Sequence, residues 1–461
     1  TNVNYIEKEY FRNDERTFYP IDFDDYNFRI SYNIENVYFK NDKKVEDLQD
    51  MWNTTKKVFR YIKRFEYKHP NFPLNIHLSI VKTSRAVAGK MISEFNIKES
   101  EVFNSLENFE IEIEIDNTKI GMDSKFETGT YLYDLIKKAI KYVMIGIQET
   151  NFPISYIEQN KIGNNYLKLV KGETYSKDIS VKDFIGPSSV TLQMIHLLKN
   201  EDTTLNTNTI SNIRNNYTVT DKADGLRKLL YINNDGRIYL ITTSMNVQFT
   251  GTFTNEKELF NTIIDGEHIL INKKNEYINL FACFDIYIVN GKNVTGLPFI
   301  NITNQIEELK QSVDGSEASK VKKDNDTNYR LVILNSVIKK LNINSIIPNK
   351  KPSLNINIKK FYANNIFNGC ATIINNEKTG LYDYNTDGII FTPANTGVAS
   401  KTTGVIAPNF KVTWTDSFKW KPPEFNTIDF LVKFKKNEFG KNLVGNIYNS
   451  GMNMETNNQI N

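Results

Sequence analysis

"YTVTDKADGLRKLLYI", residues 217–232, places a lysine, an acidic residue, a glycine and an arginine within six positions, behind a run in which apolar and polar residues alternate. The alternation predicts a strand that carries Lys222 at its end, with Gly225 in the turn that follows. A single KxDG is common at solvated strand ends, so its weight depends on what accompanies it. Four further stretches follow in order. "IIDGEHIL" (263–270) offers Glu267 at the end of an apolar run, and "LFACFDIYI" (280–288) sets Phe284 and Asp285 inside another. "TDGIIFTP" (386–393) supplies Asp387, and "FKWKPPEFNTIDF" (418–430) supplies Lys419 and Lys421.

Outward from these stretches, the 461 residues exceed the roughly 250–300 that one core sustains, so more than one core is expected. A formal charge of +3 leaves any polyanion to be met by local clusters. The two cysteines, Cys283 and Cys370, show no CxxC or Cys/His spacing. That argues against a disulfide framework or a structural zinc site and fits a reducing compartment. The longest apolar run, "AIKYVMIGI" (139–147), is broken by Lys141 and is far shorter than the roughly 20 residues of a membrane span. A soluble protein with no membrane partner is expected. The chain starts at Thr1 without a signal pattern and reads as a fragment of something longer.

Period-two patterns in "YNFRISYNIENVYF" (26–39), "FRYIKRFEY" (59–67), "NIHLSIVKT" (75–83) and "NFEIEIEID" (108–116) predict an antiparallel sheet system in the first part. "TYLYDLIKKAIKYVMIGIQET" (130–150) spaces its apolar residues by three and four and predicts one amphipathic helix covering that sheet. The polar stretch 171–189 reads as an interdomain linker. Strands are expected again over 217–291, in 387–393 and in "TIDFLVKFKK" (427–436), with helical segments between 300 and 350 and a mobile polar loop over 314–328.

The five stretches, in this order, resemble motifs I, III, IIIa, IV and V of the covalent nucleotidyltransferases, the superfamily of mRNA guanylyltransferases and polynucleotide ligases. In wording, "TDKADG", "IDGE" and "KWKPP" followed by "IDF" are similar to the multifunctional mRNA capping enzymes of giant, mimivirus-like DNA viruses. The resemblance implies an α+β nucleotidyltransferase domain over 186–436, after a linker at 171–185. It implies Lys222 as the nucleophile that forms lysyl-GMP from GTP, Arg227 and Glu267 on the ribose, and Phe284 stacked on the base. Asp285 is an accessory nucleotide contact, and Asp387 helps to hold a divalent metal, Mg2+ or Mn2+. The chemistry needs these residue types. A lysine attacks only as the free amine, which desolvation and nearby positive charge make available. Lys419 and Lys421 would supply that charge and grip the α-phosphate as pyrophosphate leaves. The family's C-terminal oligonucleotide-binding (OB) fold and its cap methyltransferase are expected to be missing, with 437–461 the start of a connection to them.

In "ENFEIEIEID" a strand sends Glu110, Glu112 and Glu114 to one face. Such a row repels itself unless cations neutralise it, as lysines on a solvated face would, or a metal. Arg60 and Arg64, with Ile62 between them, share a face of their strand, and Arg29 and Lys82 lie on others. A metal-binding carboxylate row opposite Arg and Lys suits a site that neutralises a polyphosphate and activates water. Residues 1–170 resemble the RNA triphosphatase domain of the same viral enzymes, an antiparallel β-tunnel of the triphosphate tunnel metalloenzyme kind. Three departures stand out. Ile62 replaces a basic residue, His77 stands where Asp is usual, and the N-terminal Glu-x-Glu strand is not found, "NYIEKEYF" (4–11) being a poor candidate. Weak γ-phosphate hydrolysis is expected from half a metal cage.

The expected partners are the RNA 5' end and GTP, and the expected location is the host cytoplasm, at a viral factory, or the virion. Two alternatives stand beside capping: an ATP-dependent ligase using lysyl-AMP, and a non-catalytic RNA-binding scaffold. A tunnel-like domain ahead of Lys222 favours capping, because removal of a γ-phosphate precedes guanylyl transfer and has no place in ligation.

Overall fold

The structure, a computed structural model, describes residues 3–425 apart from 71, 88, 122–128, 175–177, 200–209, 303–327 and 364, and beyond them only 427, 431, 436 and 438. Most of the expected strand at 427–436, almost all of the polar loop at 314–328 and all but residue 438 of the tail from 437 therefore lie outside the described residues. The chain divides into two compact units. One contains residues 1–188, 225–359 and 394–414, the other 189–224, 360–393 and 415–461. No described helix is long and apolar enough to cross a membrane.

In the first unit, β1 (Tyr5–Tyr10) pairs with β4 (Asn33–Tyr38), and β2 (Ile21–Phe23) with β3 (Phe28–Ile30). The short helix α1 (Lys43–Asp50) follows. β5 (Arg60–Lys68), β6 (Leu74–Thr83) and β9 (Asn108–Ile115) form a three-stranded antiparallel sheet, with the ribbon β7 (Ala86–Val87) and β8 (Lys90–Met91) between. Among the described residues the β1–β4 ribbon and this sheet are not hydrogen-bonded to each other. The segment discounted in the sequence is thus a strand: Glu7 and Glu9 share one face of β1, opposite Asn36 and Ile34.

The helix predicted at 130–150 is α2 (Gly129–Gln148), with Leu135, Ala139 and Met144 buried at helical spacing. On the apolar face of the three-stranded sheet Leu74 is buried, while Phe109 is 76% exposed and Tyr61, Phe65 and Ile111 are exposed too. The end of α2 reaches a larger sheet. Gln148 both donates to the Ile154 carbonyl (2.8 Å) and accepts from its amide (3.0 Å), which holds the turn that follows the helix. That turn seats Phe152 over Gly251, whose φ of +73° and absent side chain leave the ring its space.

Beyond β10 (Ser188–Thr191) and β11 (Tyr217–Ala223), this eight-stranded sheet is built from β12 (Leu226–Ile232), β13 (Arg237–Thr242), β14 (Val247–Phe253), β15 (Thr262–Ile271), β16 (Tyr277–Val289), β17 (Lys292–Asn293), β18 (Asn344–Ser345) and β19 (Asn355–Ile358). Its order is β17-β16-β15-β12-β13-β14-β18, with β19 parallel to β16. One face is core. Helix α3 (Tyr156–Lys171), capped by Ser155 accepting from the Glu158 amide, packs Ile162, Tyr166 and Leu167 with Leu229, Tyr231, Tyr239 and Ile241. The opposite face lines a cavity of about 400 Å3 with the end of α2. There Lys228 donates to Gln248 Oε1 (2.6 Å) and His268 Nδ1 (2.9 Å), and His268 Nε2 meets Asn279 Oδ1 at 2.7 Å.

Burial, aided by the Lys228 charge, pushes His268 down to about 4. An unfolded histidine takes up its proton near pH 6.5. Between those values the unfolded chain binds more protons, so stability falls as pH drops from about 6.5 to about 4, by about 3 kcal/mol in all from this residue. Denaturant unfolding at pH 7 and 4.5 is expected to show that loss, and His268→Asn to reduce it.

The second unit holds the four-stranded sheet β10-β21-β20-β11, completed by β20 (Thr386–Pro393) and β21 (Thr413–Trp420). The helix Ile366–Lys378, capped by Asn365, packs Ile366 and Ile373 with Val219, Ile389 and Phe391. Both units mix helices with antiparallel sheet, the α+β class expected from the sequence.

Candidate active site

In the second unit the sheet pairing explains where Lys222 goes. Asp221 pairs with Ile389 and Ala223 with Thr386, so two residues, Asp387 and Gly388, face Lys222 across a bulge. A bulge bends the strand and re-aims side chains. Lys222 Nζ donates to Asp387 Oδ1 at 2.6 Å, and Lys421 Nζ lies 2.6 Å from Asp387 Oδ2. Gly388 allows the meeting: its φ is +141°, and a Cβ there would stand 2.0 Å from the Trp420 carbonyl oxygen and 3.1 Å from the Lys421 Cα. Burial alone would raise the Asp387 carboxyl, but the two lysine hydrogen bonds outweigh it and hold the group below its usual range. The carboxylate therefore stays ionised between two cations. Lys419 lies on β21 opposite Ile390 and, among the described residues, makes no ion pair. Next to Lys222 the buried Asp221 accepts from Tyr384 Oη (3.1 Å), a contact the sequence did not reveal.

In the first unit, Arg227 on β12 donates to both oxygens of Asp265 (3.1 and 2.5 Å) and to the Pro187 carbonyl (2.6 Å). Its guanidinium carbon is 5.5 Å from the Phe284 ring centre. Glu267 pairs in register with Arg227 and shares its face. Asp265 is fully buried and also accepts from Tyr287 Oη. Asp265 and Tyr287 escaped the sequence reading because both look like ordinary core positions of apolar runs. Asp285 has a partner that the sequence did not reveal. It is buried, and both its oxygens are taken by Arg330 (2.8 and 3.1 Å), itself 0% exposed. Arg330 also binds the carbonyls of Leu297 and Thr396. Burial raises the Asp285 carboxyl despite that partner. Its place in the structure is an internal ion pair with Arg330.

Residues 203–325 match the family model of the mRNA capping enzyme catalytic domain. Over that stretch the chain is similar to the catalytic domain of mRNA capping enzymes. Over 355 residues, 73% of the chain, it is 27% identical to a probable mRNA-capping enzyme of Acanthamoeba polyphaga mimivirus, covering 27% of that protein. It is 28% identical to the mRNA-capping enzyme of African swine fever virus (strain Badajoz 1971 Vero-adapted) over 47% of this chain and 18% of that one. To the mRNA-capping enzyme of Danio rerio it is 23% identical over 48% of this chain and 32% of that one. The chain thus spans a third or less of the relatives it matches. Within the capping-enzyme match lie Lys222, Arg227, Glu267, Phe284 and Asp285; Asp387, Lys419 and Lys421 follow it.

The capping-enzyme domain is preceded by the charged sheet. Its register puts Arg60, Ile62, Arg64 and Glu66 of β5, Val81, Ser79, His77 and Asn75 of β6, and Glu110, Glu112 and Glu114 of β9 on one face. Arg60 Nη2 binds both oxygens of Glu110 (2.8 and 2.7 Å), and Arg64 binds Glu112 (2.6 Å). Two expected members are elsewhere. Lys82 pairs with Tyr61, which puts it on the opposite, apolar face, where it reaches the Phe103 carbonyl (3.3 Å). Arg29 sits on the β2–β3 hairpin, bound through two nitrogens to Asp22 (2.6 and 2.9 Å).

Proposed function

We propose that this chain is the guanylyltransferase part of an mRNA capping enzyme acting through lysyl-GMP. The Lys222 amine attacks the α-phosphorus of GTP, a P–N bond forms as the bond to pyrophosphate breaks, and GMP then passes to a diphosphate-ended RNA. The observation that carries this reading is the Asp387 carboxylate held between Lys222 and Lys421. An ammonium bound to a carboxylate has no lone pair, so Lys222 attacks as the free amine once its proton has passed to water. Lys421, with Lys419, offsets the charge that grows on the phosphate. Arg227, Glu267 and Phe284 hold ribose and base. Asp387 fits a divalent ion, since an ionised carboxylate is the protein ligand that magnesium or manganese takes alongside phosphate oxygens. When bound, that ion would neutralise phosphate charge.

The same reading assigns residues 1–170 to γ-phosphate removal by the charged sheet, with Arg60 and Arg64 on the triphosphate, and residues 186–436 to guanylyl transfer, in the cytoplasm at a viral factory or in the virion. No relative supports a ligase; those matched are capping enzymes by name. Incubation with α-labelled GTP or ATP and a divalent metal, then denaturing electrophoresis, tests the reading. Label from GTP is expected, and label from ATP alone would overturn it. Lys421→Ala is expected to slow lysyl-GMP formation by about 100-fold, the scale of losing one charge stabiliser. A rate within a few-fold of wild type would make Lys421 structural.

A further inference from the structure

We infer that His77 is a metal ligand, and that with Glu112 and Glu114 it makes the charged sheet a mixed nitrogen and oxygen site for a borderline transition ion such as Zn2+ or Co2+. The inference builds on the metal-binding reading of the β9 carboxylates and does not need the triphosphatase activity. Three observations carry it. One ligand atom from each of His77, Glu112 and Glu114 lies within 4.8 Å of the others. His77 is only 5% exposed, and its Nδ1 is buried without a hydrogen-bond partner. Its other nitrogen, Nε2, is 3.1 Å from Glu66 Oε1. A carboxylate accepts, so Nε2 is the nitrogen that donates towards Glu66, and Nδ1 is the ring atom turned towards Glu114. A carboxylate behind a histidine is the arrangement that orients metal-bound imidazoles.

The spacing suits a shared ion: Nδ1 stands 3.5 Å from Glu114 Oε2. Ligand atoms each about 2.1 Å from a four-coordinate ion are about 3.4 Å apart. Asn75 Oδ1, also buried without a hydrogen-bond partner, belongs to the residue opposite Glu114 on the same face. Glu110 lies outside this cluster of ligand atoms, and Arg60 binds both its oxygens. An all-carboxylate row suits Mg2+, whereas imidazole shifts preference towards transition ions.

The test uses the full chain and Co2+ as probe, followed by its visible ligand-field bands and by calorimetry, with Zn2+ and Mg2+ as competitors. Co2+ and Zn2+ are expected to bind at least about 100-fold more tightly than Mg2+. His77→Gln is expected to weaken Co2+ binding at least about 10-fold and change its bands, with Mg2+ affinity altered less than about threefold. Because His77 is buried, Glu114→Gln, at a side chain 52% exposed, is the second variant and is expected to weaken Co2+ binding by a similar factor. Co2+ no tighter than Mg2+, or Co2+ binding unchanged in His77→Gln or in Glu114→Gln, overturns the inference. RNA γ-phosphate release measured in parallel separates the two readings: Co2+ held through His77 without hydrolysis leaves the site standing and removes the triphosphatase.

Discussion

Lys222→Ala is expected to lower covalent nucleotide transfer by more than about 10^4-fold, the scale of removing the nucleophile from a group that acts as a unit. The protein should stay folded. Lys222 sits at a strand end in a bulge, its side chain 24% exposed, and Asp387 keeps Lys421 as a partner after the substitution. Lys222→Arg should be as inactive, because a guanidinium cannot be deprotonated in a protein. Label retained on either denatured variant would show that another residue carries the nucleotide. Unchanged circular dichroism and thermal midpoint are the control that assigns the loss to chemistry.

Arg330→Ala is expected to destabilise the first unit by about 3–5 kcal/mol, the usual result of leaving one member of a buried ion pair alone. Asp285 would lose both nitrogens that hold its carboxylate, in a place where burial already opposes its charge. The double variant Arg330→Met with Asp285→Leu should recover most of that loss, since apolar residues of similar volume often replace a buried pair without penalty. Denaturant unfolding measures the first claim, and labelling with GTP discriminates the role of Asp285. A double variant that is folded and still forms lysyl-GMP supports a structural pair, while a folded but unlabelled one would return Asp285 to the nucleotide.

Much of the candidate site could be read directly from the chain because its signals are local. Alternation marked β11, β20 and the strands of the charged sheet, and side-chain parity within one strand put Glu110, Glu112 and Glu114 together before any neighbour was known. The order of five short stretches pointed to Lys222, Asp387 and Lys421. β1 was missed because the segment was judged by its place in the chain, although Tyr5, Glu7 and Glu9 alternate with Ile6, Lys8 and Tyr10 as a strand requires.

What the sequence determined by itself was the set of reactive residues and the face each takes within its own strand. Which strands share a face was decided only in the tertiary structure. A register shift of one residue moves every side chain to the other side of a sheet, and no single strand encodes its register. Lys82 is the plain case: it alternates as expected along β6, but its pairing with Tyr61 puts it behind the sheet, away from Arg60 and Arg64. Asp285 and Arg330 became partners across 45 residues of sequence, and Lys222 met Asp387 across 165, through a bulge and a glycine whose need appears only when the Trp420 carbonyl lies against it. Charge and alternation are properties of a segment; ion pairs, bulges and buried partners arise from the packing of segments far apart in the chain.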